Sequence, residues 1–166
     1  KRKNIDFKFY NMNNVPKGHV TKMWNNLFKY AYNDNCHYFL QCGDDIEFRS
    51  IWIDSAIKIL LLNNNIGLAG PVTNNSKILT QTFVSRKHMH IFGYYFPDNI
   101  KNWYCDDWIN EIYKPAYYFP LFNQICLNKG EEPRYERNLN DLIIQKEIAE
   151  KHITISKNIL SRYLTR

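Results

Sequence analysis

Residues 37–42, HYFLQC, form a short apolar run between two segments of helical period. Before it, Val20, Met23, Trp24, Leu27, Phe28 and Ala31 recur at helical spacing, and Asn33-Asp34-Asn35 ends the pattern. After it, Trp52, Ala56, Ile57, Leu60 and Leu61 share one helical face, up to Asn63-Asn64-Asn65. Such periodicity is the main local signal for secondary structure. The alternation continues along the chain. FKFY (7–10), IGLAG (66–70, stopped by Pro71), ILTQTFV (78–84) and AYYFPLFNQICLN (116–128) read as strands. The polar positions of ILTQTFV turn one face towards a cleft. LNDLIIQKEIAEKHITISKNILSRYL (139–164) reads as a terminal helical region, and a short helix begins at Trp108, capped by Asp106 or Asp107. Strands alternating with helices, without internal repeats or linkers, predict one α/β domain over residues 1–166 with a largely parallel sheet.

Composition narrows the class. The chain has 166 residues, enough for a sizeable core, and 45% apolar and 16% aromatic content exclude disorder. Lys+Arg of 22 against Asp+Glu of 16 give a net charge of +6 and a pI near 9.1. The basic residues are scattered, apart from Lys1-Arg2-Lys3 and Arg86-Lys87-His88, so a solvated basic surface is favoured over nucleic-acid binding. Cys36, Cys42, Cys105 and Cys126 form no C-x-x-C pair and are expected as reduced thiols, mostly buried. No apolar run reaches the roughly 18 residues of a membrane span. A cytoplasmic setting, including a host cytoplasm or a virion, is the corresponding expectation. The sequence begins on Lys1, and an excised piece of a longer protein is expected.

The run 37–42 ends in Gly43-Asp44-Asp45. Two ionised carboxylates about 5 Å apart repel by roughly 3 kcal/mol at an effective dielectric near 20, so the pair calls for a cation, solvent or a helix N-terminus. In an extended chain Asp45 and Glu47 share one side and Asp44 points to the other. Asp45, with Glu47 beside it, is therefore the candidate ligand for Mn2+ or Mg2+, hard ions that take one or two carboxylates and fill their shell with phosphates and water. The plainer alternative is that Asp44 and Asp45 cap the helix that follows. A GDD turn also occurs in the palm of viral RNA-dependent RNA polymerases, inside a strand–turn–strand hairpin. Here helical period follows instead, Asp6 and Asp34 are the only earlier aspartates, and the chain is too short.

A second acidic element, CDDW (105–108), completes the pattern. GHVTKMWNNLFKYAY, YFLQCGDDIEF, IGLAGP, TQTFVSRKHMHIFGYYFP and IKNWYCDDWINEIY together resemble the GT-A-type nucleotide-sugar glycosyltransferases, most closely a group from large DNA viruses and some microbial eukaryotes. The resemblance covers roughly residues 17–137. It implies a GT-A sheet, mixed and largely parallel, flanked by helices and lacking its N-terminal strands. It also implies an inverting transfer of sugar from a nucleotide-diphosphate donor to a hydroxyl on a glycan or glycoprotein, with Mn2+ or Mg2+. The alternative is a catalytically inactive relative that binds carbohydrate or serves structurally.

The resemblance places Gly43, Asp44 and Asp45 on the three positions of the D-x-D motif, with Asp45 as metal ligand and Asp44 near the donor ribose. Gly43 departs from the acid that many members carry there. Asp107 falls on the catalytic base, with Asp106 as neighbour or substitute; such a carboxylate accepts the acceptor's proton during attack on the anomeric carbon. Further expectations attach to the remaining polar and aromatic residues. Thr80, Gln81 and Thr82 offer polar contacts to a sugar, and Arg86 a positive charge. Trp103, Tyr104 and Trp108 offer aromatic walls for an acceptor, or ordinary core packing. The segment GEEPRYERN (130–138) is expected as a surface loop or pocket rim, with Arg134 near the diphosphate. His88 and His90 are read as structural or acceptor-side residues ahead of metal ligands, and His152 lies inside the terminal helix without an assigned role.

Overall fold

The computed structural model describes residues 8–74, 77–130 and 138–166. In chain order the elements are α1 (Val20–Asn33), β1 (Tyr38–Gln41), β2 (Ile46–Phe48), α2 (Ile53–Leu62) and β3 (Leu68–Thr73). β4 (Thr82–Ser85), α3 (Lys87–Phe92), α4 (Cys105–Tyr113), β5 (Tyr118–Asn128) and α5 (Leu139–Leu164) follow. The mixed α/β class matches the reading of the sequence.

The strands form one sheet in the order β1-β4-β3-β5-β2. Among the described residues β3 and β5 run parallel, whereas β1 with β4, β3 with β4 and β2 with β5 are antiparallel. The expected largely parallel sheet is therefore corrected to a mixed one. Connection length supplies the reason. A parallel neighbour needs a crossover of a dozen or more residues. Residues 74–81 are too few, so β4 turns back beside β3, while α3 and α4 provide the long return to β5.

Side chains alternate across the sheet as the pleat requires. Phe39, Leu68 and Val84 face a large cluster with Phe28 of α1, Phe92 of α3, Trp108, Ile109 and Ile112 of α4, and Ala149 and Leu160 of α5. Ala69 and Phe83 face the other way, onto Trp52, Ala56 and Leu60 of α2. The sheet is thus sandwiched between α2 and a layer of four helices. Trp108 is fully buried in that layer, beside the rings of Phe92, Phe96 and Tyr94. No helix among the described residues is long and apolar enough to cross a membrane.

Several boundaries differ from the sequence reading, each for a tertiary reason. β3 continues through Pro71 to Thr73, with an irregularity between Pro71 and Val72 that absorbs the missing N–H. Residues 8–10 are not a strand: Lys8 pairs with Asp34 and Tyr10 stacks on Tyr30, which lays the segment over the end of α1. Residues 78–81 lie outside β4 because the amide of Asn110 takes up the backbone groups of Leu79 in place of a neighbouring strand. α4 begins at Cys105, one turn before Trp108, with Tyr104 in a left-handed conformation preceding it. Asp106 and Asp107 occupy its first turn and do not cap it. α3 and the three-residue β2 escaped the sequence reading.

A polar thread runs through the large cluster. The Tyr95 hydroxyl donates to the Thr82 carbonyl at 2.8 Å, and the Thr82 hydroxyl lies 3.0 Å from Gln41 Oε1. His88, fully enclosed, lies 2.7 Å from the Tyr113 hydroxyl through Nδ1 and 3.1 Å from the Tyr95 carbonyl through Nε2. Burial pushes His88 down to about 4, against weaker support for the charged form from backbone hydrogen bonds at Tyr95 and Tyr94. The folded pKa lies below the unfolded value, so this contribution is complete above about pH 6.5 and is lost as pH falls towards 4. Its full size is about 3 kcal/mol, of which about 2 kcal/mol is gone by pH 5. Urea midpoints at pH 7.5 and 5 should therefore fall more steeply for the wild type than for His88→Gln, a difference that disappears if the imidazole is charged throughout.

Candidate functional site

The strand register gathers one end of the sheet. Gln41 pairs with Thr82 and Thr73 with Cys126, while Ile46 pairs with Asn128. The carboxyl ends of β1, β3 and β5 and the starts of β4 and β2 therefore lie together. β1 and β2 are the two outer strands, so residues 42–45 cross over that end. The acidic pair ends a strand because it makes this crossing. The crossing also removes two other readings: β2 intervenes before α2, so Asp44 and Asp45 do not cap it, and β1 and β2 form no hairpin of the polymerase kind.

Asp45 is closely housed. A Cβ added at Gly43 would lie 2.6 Å from its Oδ1, and one at Gly130 would lie 2.5 Å from its Oδ2. The Asp45 carboxylate thus lies where a side chain on Gly43 would begin. The Lys129 N–H donates to the Asp45 carbonyl at 2.8 Å, which binds the crossing to the end of β5. Asp44 is exposed beside it. Glu47 is otherwise engaged: Lys129 and Arg49 both pair with its carboxylate, the latter at 2.8 Å, and the Lys129 hydrogen bond leads in holding its pKa below the usual value. Its expected role as a second metal ligand is set aside for that reason. Burial, followed by Cys126 and the two aspartates, pushes the Cys42 thiol up to about 11, so it stays protonated. No cluster of three or more His, Cys, Asp or Glu fit to hold a metal occurs among the described residues. Asp44 and Asp45 lie in the turn that precedes β2, and each carries a carboxylate of the hard-oxygen kind that Mg2+ and Mn2+ take.

The second acidic element reaches the same end of the sheet through α4. Asn110, fully buried, accepts from Leu79 N–H at 2.9 Å and donates to the carbonyls of Leu79 at 2.8 Å and Asp106 at 2.7 Å. Two residues on, Gln81 Oε1 accepts from Gly43 N–H at 3.0 Å. The two acidic motifs, about sixty residues apart in the chain, therefore flank one short segment. Asp106 lies half-buried in the first turn of α4 and Asp107 is exposed next to it. Burial first, and the charge of Asp107 second, push the Asp106 carboxyl up to about 7, against a weak hydrogen bond from the Cys105 thiol. A carboxyl that exchanges its proton near neutrality is a mark of acid–base chemistry.

The other expected residues divide. Trp103 and Tyr104 are half-buried and immediately precede the acidic turn. Gln81 is 4% exposed and turned to Gly43, so it steadies the acidic crossing and does not present itself to a sugar. Thr82 is fully buried between Gln41 and Tyr95, which withdraws it from any acceptor. Arg86 follows β4 at the opposite end of the sheet, where it donates to the Tyr32 and Cys36 carbonyls and lies 3.6 Å over the Tyr32 ring. Its charge, expected on the acceptor side of the site, therefore lies at the end of the sheet away from the acidic crossing. Trp108 belongs to the core, His88 is structural, and His90 meets the Tyr32 hydroxyl at 2.9 Å. Arg134 lies outside the described residues. The four cysteines are free thiols, with Cys105 and Cys126 buried, Cys42 half-buried and Cys36 exposed.

Sequence reasoning missed Asn110 and Gly130. Asn110 did carry a signal, as a lone amide among Trp108, Ile109, Ile112 and Tyr113 on the apolar side of a helix. Gly130 entered only as the first residue of an expected surface loop or pocket rim, because its closeness to Asp45 arises only when β5 and β2 pair. Searches of protein-family models, curated proteins and solved structures found no match to this chain.

Proposed function

We propose that this domain transfers a sugar from a nucleotide-diphosphate donor to a hydroxyl acceptor, with inversion, as a glycosyltransferase of GT-A type. What supports this reading is that the short segment Leu79–Gln81 is tied to both acidic motifs, to Gly43 through the Gln81 side chain and to the Asp106 carbonyl through Asn110. Asp107, the exposed member of its pair, takes the acceptor proton as the hydroxyl oxygen bonds to the anomeric carbon and the bond to the diphosphate breaks. Asp106, behind it, couples electrostatically to that proton transfer. Asp45, with Asp44 beside it, would hold Mn2+ or Mg2+. When bound, such an ion supplies positive charge against the departing diphosphate. Trp103 and Tyr104 stand next to the base, where aromatic faces suit a sugar ring.

The test is release of nucleotide diphosphate from a panel of nucleotide sugars, with and without Mn2+ and a mixture of glycan acceptors. Asp45→Ala should lower the metal-dependent rate by about a hundredfold, the loss expected when a charge-stabilising interaction of several kcal/mol is removed. Glycan binding without turnover, unchanged by Asp45→Ala and Asp107→Ala, would identify a carbohydrate-binding domain instead.

A further inference from the structure

We propose that Leu79–Gln81 is a brace that sets the spacing of the two acidic motifs, with Gln81 and Asn110 as positioning residues; this rests on the two motifs forming the transfer site proposed above. Asn110 is fully buried and uses its amide three times, twice on the backbone of Leu79 and once on the carbonyl of Asp106. A buried polar group satisfied in this way is stiff, because any movement leaves donors or acceptors unpaired. At the other end Gln81 holds Gly43 N–H, while its own Nε2 donates to the Thr80 hydroxyl at 3.3 Å. β3 supports the brace from beneath: a Cβ on Gly70 would lie 2.5 Å from the Gln81 carbonyl oxygen, so no other residue lets the segment lie so close. The backbone at Gly43 and Asp106, next to the acids at 45 and 107, is thereby fixed before any ligand arrives, the preorganisation that catalytic groups require. Neither Gln81 nor Asn110 needs to touch a substrate to do this.

The test compares the unaltered protein with Gln81→Met, which keeps the volume and loses the acceptor, and Gln81→Glu, which keeps the acceptor. Two readouts are taken: hydrogen exchange at the Gly43 amide, and a titration with Mn2+ alone. In Gln81→Met, Gly43 exchange should quicken about tenfold and the apparent Mn2+ dissociation constant rise about tenfold, as for the loss of one hydrogen bond. Gln81→Glu should restore both. Unchanged Gly43 exchange in Gln81→Met overturns the brace, and so does a failure of Gln81→Glu to restore it. If Gln81→Met does not fold, Gly70→Ala shifts the Gln81 backbone with the side chain intact and must give the same two losses, or the brace is overturned. Absence of Mn2+ binding in the unaltered protein overturns the metal site of the proposed function, and the Gly43 exchange then decides the brace by itself.

Discussion

Asp107→Asn should lower the proposed sugar transfer by about a thousandfold while leaving the fold intact. A positioned carboxylate base contributes typically 10²–10⁴-fold. Asparagine keeps the shape of the side chain and cannot take a proton. The residue is exposed on the first turn of α4, where a substitution of this kind changes stability by only about 0.5 kcal/mol. Transfer rates measured with saturating donor and Mn2+ should fall, with KM for the donor unchanged, because in the proposed reaction Asp107 acts on the acceptor. A second signature accompanies the loss. Asp107 is one of the two causes that raise the Asp106 carboxyl, so its removal should bring Asp106 down towards the ordinary range, as followed by its carbonyl 13C resonance. A variant that keeps more than a tenth of the activity removes Asp107 from the role of base.

Asp106→Asn should make the protein more stable above neutral pH. The carboxyl, pushed up to about 7 from 3.8, binds its proton more tightly in the folded state than in the unfolded one. Stability from this group is therefore complete below about pH 4 and lost as pH rises through 7. The three-unit difference corresponds to at most about 4 kcal/mol, and partial exposure of the side chain brings the expected gain to about 2–3 kcal/mol at pH 8. At pH 4 the variant and the wild type should unfold at nearly the same urea concentration. A charged group kept at such a cost fits a working site, where stability is commonly exchanged for chemistry. Equal midpoints at pH 8 would show that Asp106 ionises there without penalty.

The helices were the most legible part of this chain. α1, α2 and α5 repeat apolar residues over ten or more positions, and only a helix buries such a pattern. β1, β3, β4 and β5 were legible as segments but not in direction, because β4 runs antiparallel to β3 through the shortness of 74–81 and not through any residue in β4 itself. The acids of the proposed site stand out in the sequence, since Asp44-Asp45 and Asp106-Asp107 are unusual neighbours of apolar segments. Their surroundings could not. Gln81 and Thr82 looked alike as polar positions in a strand, yet one holds the acidic crossing and the other lies sealed in the core. Glu47 looked like a partner of Asp45 until β5 brought Lys129 against it. Long-range pairing decides such cases, and local pattern carries no trace of it.

The proposed transfer requires both pairs of aspartates to lie close to one bound ion. Paramagnetic broadening by Mn2+ reads it out directly. Titrated into the isotopically labelled protein, the ion should quench amide signals at 43–45 and 105–107 together, and Asp45→Ala should abolish both effects. Quenching at 43–45 with 105–107 left sharp would separate the two acidic motifs and contradict a common site.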